Sequence, residues 1–311
     1  MRIGFFGTPD YAVAVLRGLI EAGHDICIAA TQPDKAKDRG KKVQFTPVKE
    51  LALSHNIPVL QPEKVRGNEE FFEELKKADP ELIVVVAYGQ IIPQNILDLP
   101  KYGCVNVHAS LLPVLRGAAP IQRSIIEGHE KTGVTIMQMG AGLDTGDMLS
   151  KAEIEIGTMN YEQLHDKLAE MGTKLLIDTI PHIEDGTCRP EKQDDSISTY
   201  AHMIKKQDGK IDFKKTPKEI EQLIRGFDPW PGAFCTYKDD ITMKLWKAEA
   251  LDEKTDAGDA GKILKVSKDS FDIAAGEKTL RVYEIQVPGK KRVLVSDYLK
   301  GNKIEAGEIL K

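Results

Sequence analysis

A chain of 311 residues is long enough for two domains, and its 41% apolar and 29% charged residues are typical of a soluble globular protein. The net charge of -5 argues against a protein that coats nucleic acid non-specifically, because such binding depends on neutralised phosphates. No apolar run approaches the roughly 20 residues of a membrane span, and the amino terminus lacks the continuous apolar core of a secretory leader, so we expect a cytoplasmic protein.

Apolar runs alternate with helical patterns through the first half of the chain. The runs that predict strands are Arg2 to Phe6, Asp25 to Thr31, Glu81 to Gly89 and Cys104 to His108. A helical pattern with proline at its start follows the first strand, from Pro9 to Ala22. Strands separated by helices predict an α/β fold with a doubly wound, mostly parallel sheet, whose ligands bind beyond the carboxyl ends of the strands.

A basic segment follows the second predicted strand, from Thr31 to Phe45. It holds five lysines or arginines against two aspartates. In an acidic protein such a run is either a solvated loop or a surface that attracts phosphate. Its position at the carboxyl end of a strand, where ligands bind, leaves both interpretations open.

The fourth strand ends with polar side chains. Strand residues alternate between faces, so Asn106, His108 and Ser110 share one face while Val105 and Val107 share the other. Asparagine is depleted in strands and costly to bury without a partner, so an Asn-x-His pair at the end of a strand suggests a bound polar ligand. The alternative is a hydrogen-bonded core histidine, which is the commoner role of a lone histidine in a strand.

The second half of the chain changes character. Further strands are predicted at Thr132 to Met139 and Met148 to Ile156, and an amphipathic helix at Tyr161 to Glu184. A polar, irregular stretch follows and predicts a linker. From Ala233 onward short strands recur between turn-forming residues, which predicts a small β-barrel. We therefore expect a catalytic domain at residues 1–190, a linker at 191–207 and a second, smaller domain at 208–311.

Several short motifs invite other functions. The glycine turn from Gly4 to Asp10 lacks the spacing of a nucleotide site, which leaves a structural turn or an anion contact. Asp144 to Gly146 reads DTG, but an aspartic protease needs a second such motif, and the chain has none. The four cysteines lie far apart, and with the scattered histidines they give no convincing metal site or disulfide scaffold.

Asn106, His108 and Asp144 remain as polar groups expected on adjacent elements of one sheet edge. A carboxylate near the imidazole would fix its tautomer and favour its charged form. Such a trio suits acyl transfer without a covalent intermediate, because the amide and the imidazolium can donate to a developing oxyanion while an amine attacks.

A resemblance to a known family rests on these residues and on several other stretches. NVHASLLPVLRGAAPIQRSIIEG and GVTIMQMGAGLDTGDML resemble the folate-dependent formyltransferases. The same likeness extends over nearly the whole chain, through FFGTPDYAV, TQPDKAKDRGKK, VVVAYGQIIP, YAHMIKKQDGKIDF, GFDPWPGAF and PGKKR.

The resemblance implies a Rossmann-like domain that binds 10-formyltetrahydrofolate and an OB-like β-barrel that helps to hold an initiator methionyl-tRNA. The positions that match the family's catalytic residues are Asn106, His108 and Asp144. Those that match its folate site are Tyr88, Gly89, Gln90, Ile91, Ser110, Leu111, Leu112 and Pro113. Those that match its tRNA contacts are Arg39, Lys41 and Lys42. It also implies that no metal takes part, and we expect a monomer.

Three other functions stay open at this point. A sugar-nucleotide formyltransferase would share the trio but would not need the second domain. A nicotinamide-dependent oxidoreductase fits the doubly wound half but not the glycine spacing. A non-catalytic tRNA-binding module would explain the barrel and the basic segment and leave the trio without a role.

Overall fold

The computed structural model describes residues 1–37, 42–238 and 241–311. These residues form two compact units. The first comprises Met1–Pro120, Lys131–Glu155 and His165–Ala201, and the second comprises Ile121–Glu130, Ile156–Leu164 and His202–Lys311. The domain limits expected from the sequence, 1–190 and 208–311, stay a prediction.

A sheet of seven described strands forms the centre of the first unit. The strands of this unit are β1 (Arg2–Gly7), β2 (Asp25–Ala30), β3 (Lys35–Lys37), β4 (Lys42–Gln44), β5 (Val59–Leu60), β6 (Leu82–Val86), β7 (Cys104–His108), β8 (Arg116–Gly117), β9 (Lys131–Gln138), β10 (Met148–Glu155) and β11 (Tyr200–Ala201). The order in the central sheet is β10-β9-β7-β6-β1-β2-β5. Pairing is parallel from β7 to β5 and antiparallel at β7-β9 and β9-β10. The sequence order of the strands reverses about β1, so the sheet is doubly wound.

Helices connect these strands. Those that begin before residue 190 are α1 (Asp10–Glu21), α2 (Pro47–Ser54), α3 (Glu69–Ala78), α4 (Gln94–Leu97), α5 (Pro120–Ile126) and α6 (Tyr161–Glu184). Helix α2 begins where the Thr46 hydroxyl accepts a hydrogen bond from the Lys49 backbone N–H. Every residue of β6 is buried, as its unbroken run of β-branched and leucine side chains predicts for a strand covered on both faces.

The second unit is built around an antiparallel sheet. Its elements are α7 (Pro217–Gly226), β12 (Ala233–Tyr237), β13 (Ile241–Lys254), β14 (Ile263–Val266), β15 (Phe271–Ala275), β16 (Lys278–Gln286), β17 (Val293–Leu294) and α8 (Val295–Tyr298). The strand order is β12-β13-β16-β15-β14, and β17 pairs with β16. Register shifts in β13 between Leu245 and Ala248 mark bulges, which bend a strand around its core. That core includes Phe271, Leu280 and Val282, all at most 1% exposed.

The predicted fold class, an α/β domain with a mostly parallel, doubly wound sheet followed by a smaller β domain, is confirmed by this architecture. Among the described residues, no helix is both long enough and apolar enough to cross a bilayer.

Candidate active site

Strand β7 carries two side chains of the predicted trio. Val105 and Val107 are at most 3% exposed and belong to the core. Asn106 is half-buried, and the side chain of His108, the last residue of the strand, is 6% exposed. Both faces of β7 are therefore largely covered, and Asn106 is the only one of its residues that is partly exposed.

Asp144 lies in the loop between β9 and β10. Its φ of 51° is in the left-handed region, which aspartate tolerates better than most residues. Two residues later, a Cβ added at Gly146 would lie 1.7 Å from the Gln138 carbonyl oxygen. The loop therefore folds back on the end of β9 so closely that only glycine fits at position 146.

The structure brings Asn106, His108 and Asp144 together. His108 Nδ1 lies 3.7 Å from Asp144 Oδ2, and Asn106 Nδ2 donates to Asp144 Oδ1 over 3.4 Å. Both distances are longer than those of strong hydrogen bonds. The Asp144 side chain is 11% exposed, so its carboxylate turns inward toward the imidazole and the amide.

The second ring nitrogen of His108 fixes the tautomer. Nε2 lies 2.9 Å from the Leu115 carbonyl oxygen, and a carbonyl can only accept. Nε2 therefore carries the hydrogen in the neutral ring, and Nδ1 faces the Asp144 carboxylate. Nδ1 is therefore the ring nitrogen that the Asp144 carboxylate can orient.

The Gly117 backbone N–H gives the carboxylate its shortest hydrogen bond in the described residues, 2.8 Å from Asp144 Oδ2. Gly117 adopts a φ of 107°, and a Cβ there would lie 3.0 Å from the Ala201 carbonyl oxygen. A side chain at this position would strain the backbone and collide with residue 201, so the N–H can reach Asp144 only from a glycine.

Residues 193–201, which we call the strap, run alongside this part of the site. Strands β8 and β11 pair in parallel, and the Arg116 N–H donates to the Thr199 carbonyl oxygen over 2.9 Å. The Leu115 N–H donates to Thr199 Oγ1 over 2.8 Å. The strap therefore holds both Leu115, which accepts from His108, and Gly117, which donates to Asp144.

Gln193 begins the strap and contacts the Asp144 loop directly. Its Nε2 donates to the carbonyl oxygens of Asp144 and Gly146, each over 2.8 Å. Its Oε1 accepts from Arg116 Nε over 2.9 Å. Arg116 is 2% exposed and also donates to Asp195 over 2.7 Å. Burial alone would lower the pKa of Arg116, but hydrogen bonds with Asp195 and Tyr200 outweigh burial and raise the pKa.

Comparisons with known proteins bear on this arrangement. Residues 1–180 match the family model described as formyl transferase, and residues 203–303 match the one described as formyl transferase, C-terminal domain. The chain is 49% identical over 311 residues to methionyl-tRNA formyltransferase of Clostridioides difficile strain 630, with all of both chains covered. It is 50% identical over 312 residues to the protein of the same name from Caldanaerobacter subterraneus subsp. tengcongensis, again with all of both chains covered. The chain belongs to the methionyl-tRNA formyltransferase family.

A solved structure shows the same fold. The N-formyltransferase of Helicobacter canadensis, solved in complex with folinic acid and dTDP-3-aminofucose, aligns with a TM-score of 0.67 at 19% identity, over 90% of this chain and 97% of that one. The comparisons confirm both the resemblance seen in the sequence and the predicted enzyme class. Because the relatives matched over their full length carry the name of a formyltransferase, the oxidoreductase and the non-catalytic interpretations are dropped.

The predicted folate segment of this formyltransferase follows β7 as a compact turn. The Ser110 hydroxyl donates to the Val114 carbonyl oxygen over 2.6 Å. Thr135 Oγ1 accepts from the Leu112 N–H and donates to the Ser110 carbonyl oxygen. Leu112 and Pro113 are buried, whereas Leu111 is half-buried. The turn is therefore held from both sides, by its own backbone and by β9.

The second predicted folate group follows β6, the neighbour of β7, so both groups lie at the same edge of the sheet. Ala87 has a φ of 47° and turns the chain, and the Tyr88 ring returns to the core, 5.2 Å from the Phe6 ring. Burial raises the pKa of Tyr88, whose hydroxyl has no described partner. Gln90 binds the backbone of Val65 and Pro62.

Gly89 and Ile91 are the exposed members of this second group, and Ile91 is 83% exposed. The structure therefore divides the four residues between the interior and the surface. Of the four residues, only Gly89 and Ile91 have surfaces exposed enough for a ligand to contact them widely.

The basic segment is described at its two ends. Arg39 and Lys41 lie outside the described residues, as does the side chain of Lys42. Asp34, Lys49 and Gln61, which we call the hairpin base, bind one another where β3 begins: Lys49 pairs with Asp34 and donates to Gln61 over 2.6 Å, and Gln61 donates to Asp34 over 2.8 Å. Burial would raise the pKa of Asp34, but these hydrogen bonds outweigh it and lower the pKa.

Three contributors to the site were missed by sequence reasoning. Gly117 acts through its own backbone N–H, and Gln193 and Thr199 act on the backbone groups of other residues, so none of the three leaves a periodic pattern in the sequence. The only signal near them is the Arg-Gly pair that breaks the apolar run after β7. Among the described residues, no group of three or more histidine, cysteine or acidic side chains could hold a metal ion.

Proposed function

We propose that this formyltransferase transfers the formyl group of 10-formyltetrahydrofolate to the α-amino group of methionyl initiator tRNA, giving N-formylmethionyl-tRNA. The observation that carries the proposal is that Asn106, His108 and Asp144 lie together at the carboxyl end of β7, in a mostly parallel sheet. Relatives that are 49% and 50% identical over their full length carry the name of this reaction.

In the proposed reaction the α-amino nitrogen attacks the formyl carbon, and negative charge develops on the formyl oxygen. The Asn106 amide has two hydrogens, of which Asp144 takes one over a long 3.4 Å contact. The other hydrogen would donate to the oxyanion, and the positive charge of the neighbouring imidazolium, whose two N–H groups face Leu115 and Asp144, would attract it. Asp144 would hold the imidazole in place and balance its charge. The C–N bond to the folate then breaks, and the proton lost by the amine leaves with the folate nitrogen.

The folate would occupy the edge formed by residues 88–91 and 110–113. The fit rests on the chemistry of these residues: the exposed Ile91 side chain offers an apolar surface to a ring system, and Gly89 leaves room for it. The turn at residues 110–113 is held rigid by Thr135, so its backbone is fixed before a ligand arrives. Bound there, the folate supplies the activated one-carbon group.

The acceptor tRNA would be held in part by the basic segment, with Arg39, Lys41 and Lys42 toward phosphates near its acceptor end. Each phosphate contact that is removed should weaken binding and lower the slope of log affinity against log salt by about one. A charge reversal at Arg39 should therefore raise the KM for methionyl-tRNA and make it less dependent on salt, with no change in folate affinity.

The decisive assay mixes purified protein, charged initiator tRNA and labelled formyl-folate, and measures labelled N-formylmethionyl-tRNA. N106A and H108A should each lower kcat by roughly a hundredfold or more, the scale of losing one oxyanion donor. Their folate affinity should change little. H55A, which removes an exposed imidazole at the end of α2, serves as the matched control.

Near-normal turnover of N106A or H108A would rule out the assigned roles. An amino-sugar nucleotide is the competing acceptor in a second arm of the assay. Formylation of that nucleotide without formylation of charged tRNA would replace the proposed substrate while keeping the enzyme class.

A further inference from the structure

The strap lies next to the trio without belonging to it, and Gln193 connects the two. Its carboxamide nitrogen has two hydrogens, and two carbonyl oxygens of the Asp144 loop accept them at 2.8 Å each. Its oxygen accepts from the buried Arg116. Within the described residues, each hydrogen-bonding group of this amide therefore has a partner of the matching kind.

We propose that Gln193 is a positioning residue for formyl transfer, which acts by setting the place of the Asp144 carboxylate against His108 and Asn106. The inference rests on the function proposed above. It assigns to Gln193 no contact with either substrate.

The first step of the argument concerns the Asp144 backbone. Asp144 has a φ of 51°, which few non-glycine residues adopt unless their surroundings hold them there. The direction of the Cα–Cβ bond, and with it the carboxylate, depends on that φ. Gln193 binds the carbonyl oxygens of residues 144 and 146, so it holds the backbone of Asp144 itself and that of the loop two residues later.

The second step concerns the far end of the carboxylate. Asp144 Oδ2 accepts from the Gly117 N–H, and Gly117 is paired with Ala201 at the other end of the strap. Arg116, next to Gly117, donates to Gln193 through Nε. The strap thus fixes the backbone of Asp144 and also the Gly117 N–H group that donates to its carboxylate.

The third step concerns the choice of side chain. A glutamate at position 193 would place an oxygen against two carbonyl oxygens, so the isosteric change replaces two attractions by two repulsions. Alanine would leave both carbonyl groups and Arg116 Nε without this partner. An amide that reaches all three groups is therefore needed.

The test compares Q193A and Q193E with D194A. Asp194 accepts from the Ser196 N–H and hydroxyl, so D194A removes two hydrogen bonds within the same strap but none to the Asp144 loop. Single-turnover formylation is measured with saturating folate and charged tRNA. We expect the rate constant to fall roughly tenfold for Q193A and further for Q193E, with folate Kd within about twofold of wild type and with D194A near wild type.

The readout separates positioning from a merely structural role. A destabilised but correctly built site lowers the amplitude of the single turnover, because fewer molecules are active, and leaves the rate constant of the active ones unchanged. A displaced carboxylate lowers the rate constant itself. An unchanged rate constant in Q193A, or an equal loss in D194A, would overturn the inference.

A double-mutant cycle with D144N gives an independent check. If Gln193 works through the carboxylate, Q193A should cost much less in a D144N protein than in wild type, whereas unrelated effects would multiply in full. If D144N is too slow to measure, the rate constants of Q193A and D194A alone decide whether Gln193 is a positioning residue. D144N with wild-type activity would instead contradict the proposed site, so the two failures are distinguishable.

Discussion

The basic segment at 31–45 and the strap at 193–201 are both polar in the sequence, and they are held in different ways. The strap is bound by backbone pairing to β8 and by side chains at both of its ends. In the basic segment, β3 and β4 pair with each other, and the hairpin base holds the chain where β3 begins.

The difference shows in burial and in partners. The Arg116 side chain is 2% exposed and bridges the strap to the site, whereas the Lys49 and Asp34 side chains are 16% and 15% exposed. Rigid support of this kind suits atoms that must stay aligned during a reaction. The hairpin base instead sets where the basic segment, which is proposed to contact tRNA, begins. We expect the strap to govern kcat and the hairpin base to govern the KM for tRNA.

The largest effect should come from the carboxylate that the strap holds. D144N keeps the size of the side chain and tolerance of positive φ but removes the charge facing His108. We expect kcat to fall by roughly a hundredfold or more, since the imidazolium loses its balancing charge and fixed orientation. Single-turnover kinetics measures this loss. If D144N had a normal kcat, the strap would have no catalytic group to support.

The next effect concerns the stability that the strap contributes. R116M removes the charged donor to the half-buried Gln193 oxygen, so we expect the free energy of unfolding to fall by about 1–3 kcal/mol, the scale of a hydrogen bond to a charged group. The bond to Asp195 contributes little of this, because the Asp195 side chain is 82% exposed. Urea unfolding measures the loss. D195N is the control, and an equal loss there would place the stabilisation in the exposed ion pair.

A smaller effect should appear at the hairpin base. K49M breaks the pair with Asp34, so the base no longer fixes the start of the basic segment. We expect the KM for methionyl-tRNA to rise roughly threefold to tenfold, about 1 kcal/mol of binding, with kcat unchanged. K77M, which alters an exposed lysine on α3, is the control. A fall in kcat with no change in KM would reverse the roles given to the two segments.

The smallest effect is a pH dependence at the same place. Hydrogen bonds from Lys49 and Gln61 lower the pKa of Asp34 below its ordinary value in spite of burial. A carboxyl group whose pKa is lower in the folded state stabilises the fold above its ordinary pKa and loses that contribution as the pH falls through the folded value. The difference in unfolding free energy between wild type and D34N should therefore shrink from pH 7 toward acid. A difference that stays constant would show that Asp34 is not held by its charge.

The strongest sequence patterns gave the fold accurately. The helix expected at Tyr161 to Glu184 and the strand expected at Cys104 to His108 have those bounds in the structure, because long amphipathic and buried runs leave few alternatives. The topology then places the ends of β6 and β7 side by side, which is why the polar residues after each could be expected at one edge.

The strap could not be predicted in the same way. Strands β8 and β11 are two residues long and lie 84 positions apart, so neither has a periodic signal, and the polar stretch around Gln193 was interpreted as a linker. Tyr88 shows a related difficulty. Its side chain packs in the core because Ala87 has a positive φ and turns the chain there. No turn-forming residue in the sequence predicts this turn at Ala87.

The pairing of Gly117 with Ala201 also sets an order in time. During synthesis, Asn106, His108 and Asp144 leave the ribosome well before residue 201 does. A nascent chain at that stage carries every proposed reactive group but lacks the stretch of backbone that aligns them. On the proposed roles, catalytic competence is acquired late, once the last short strand of the first unit has paired with β8.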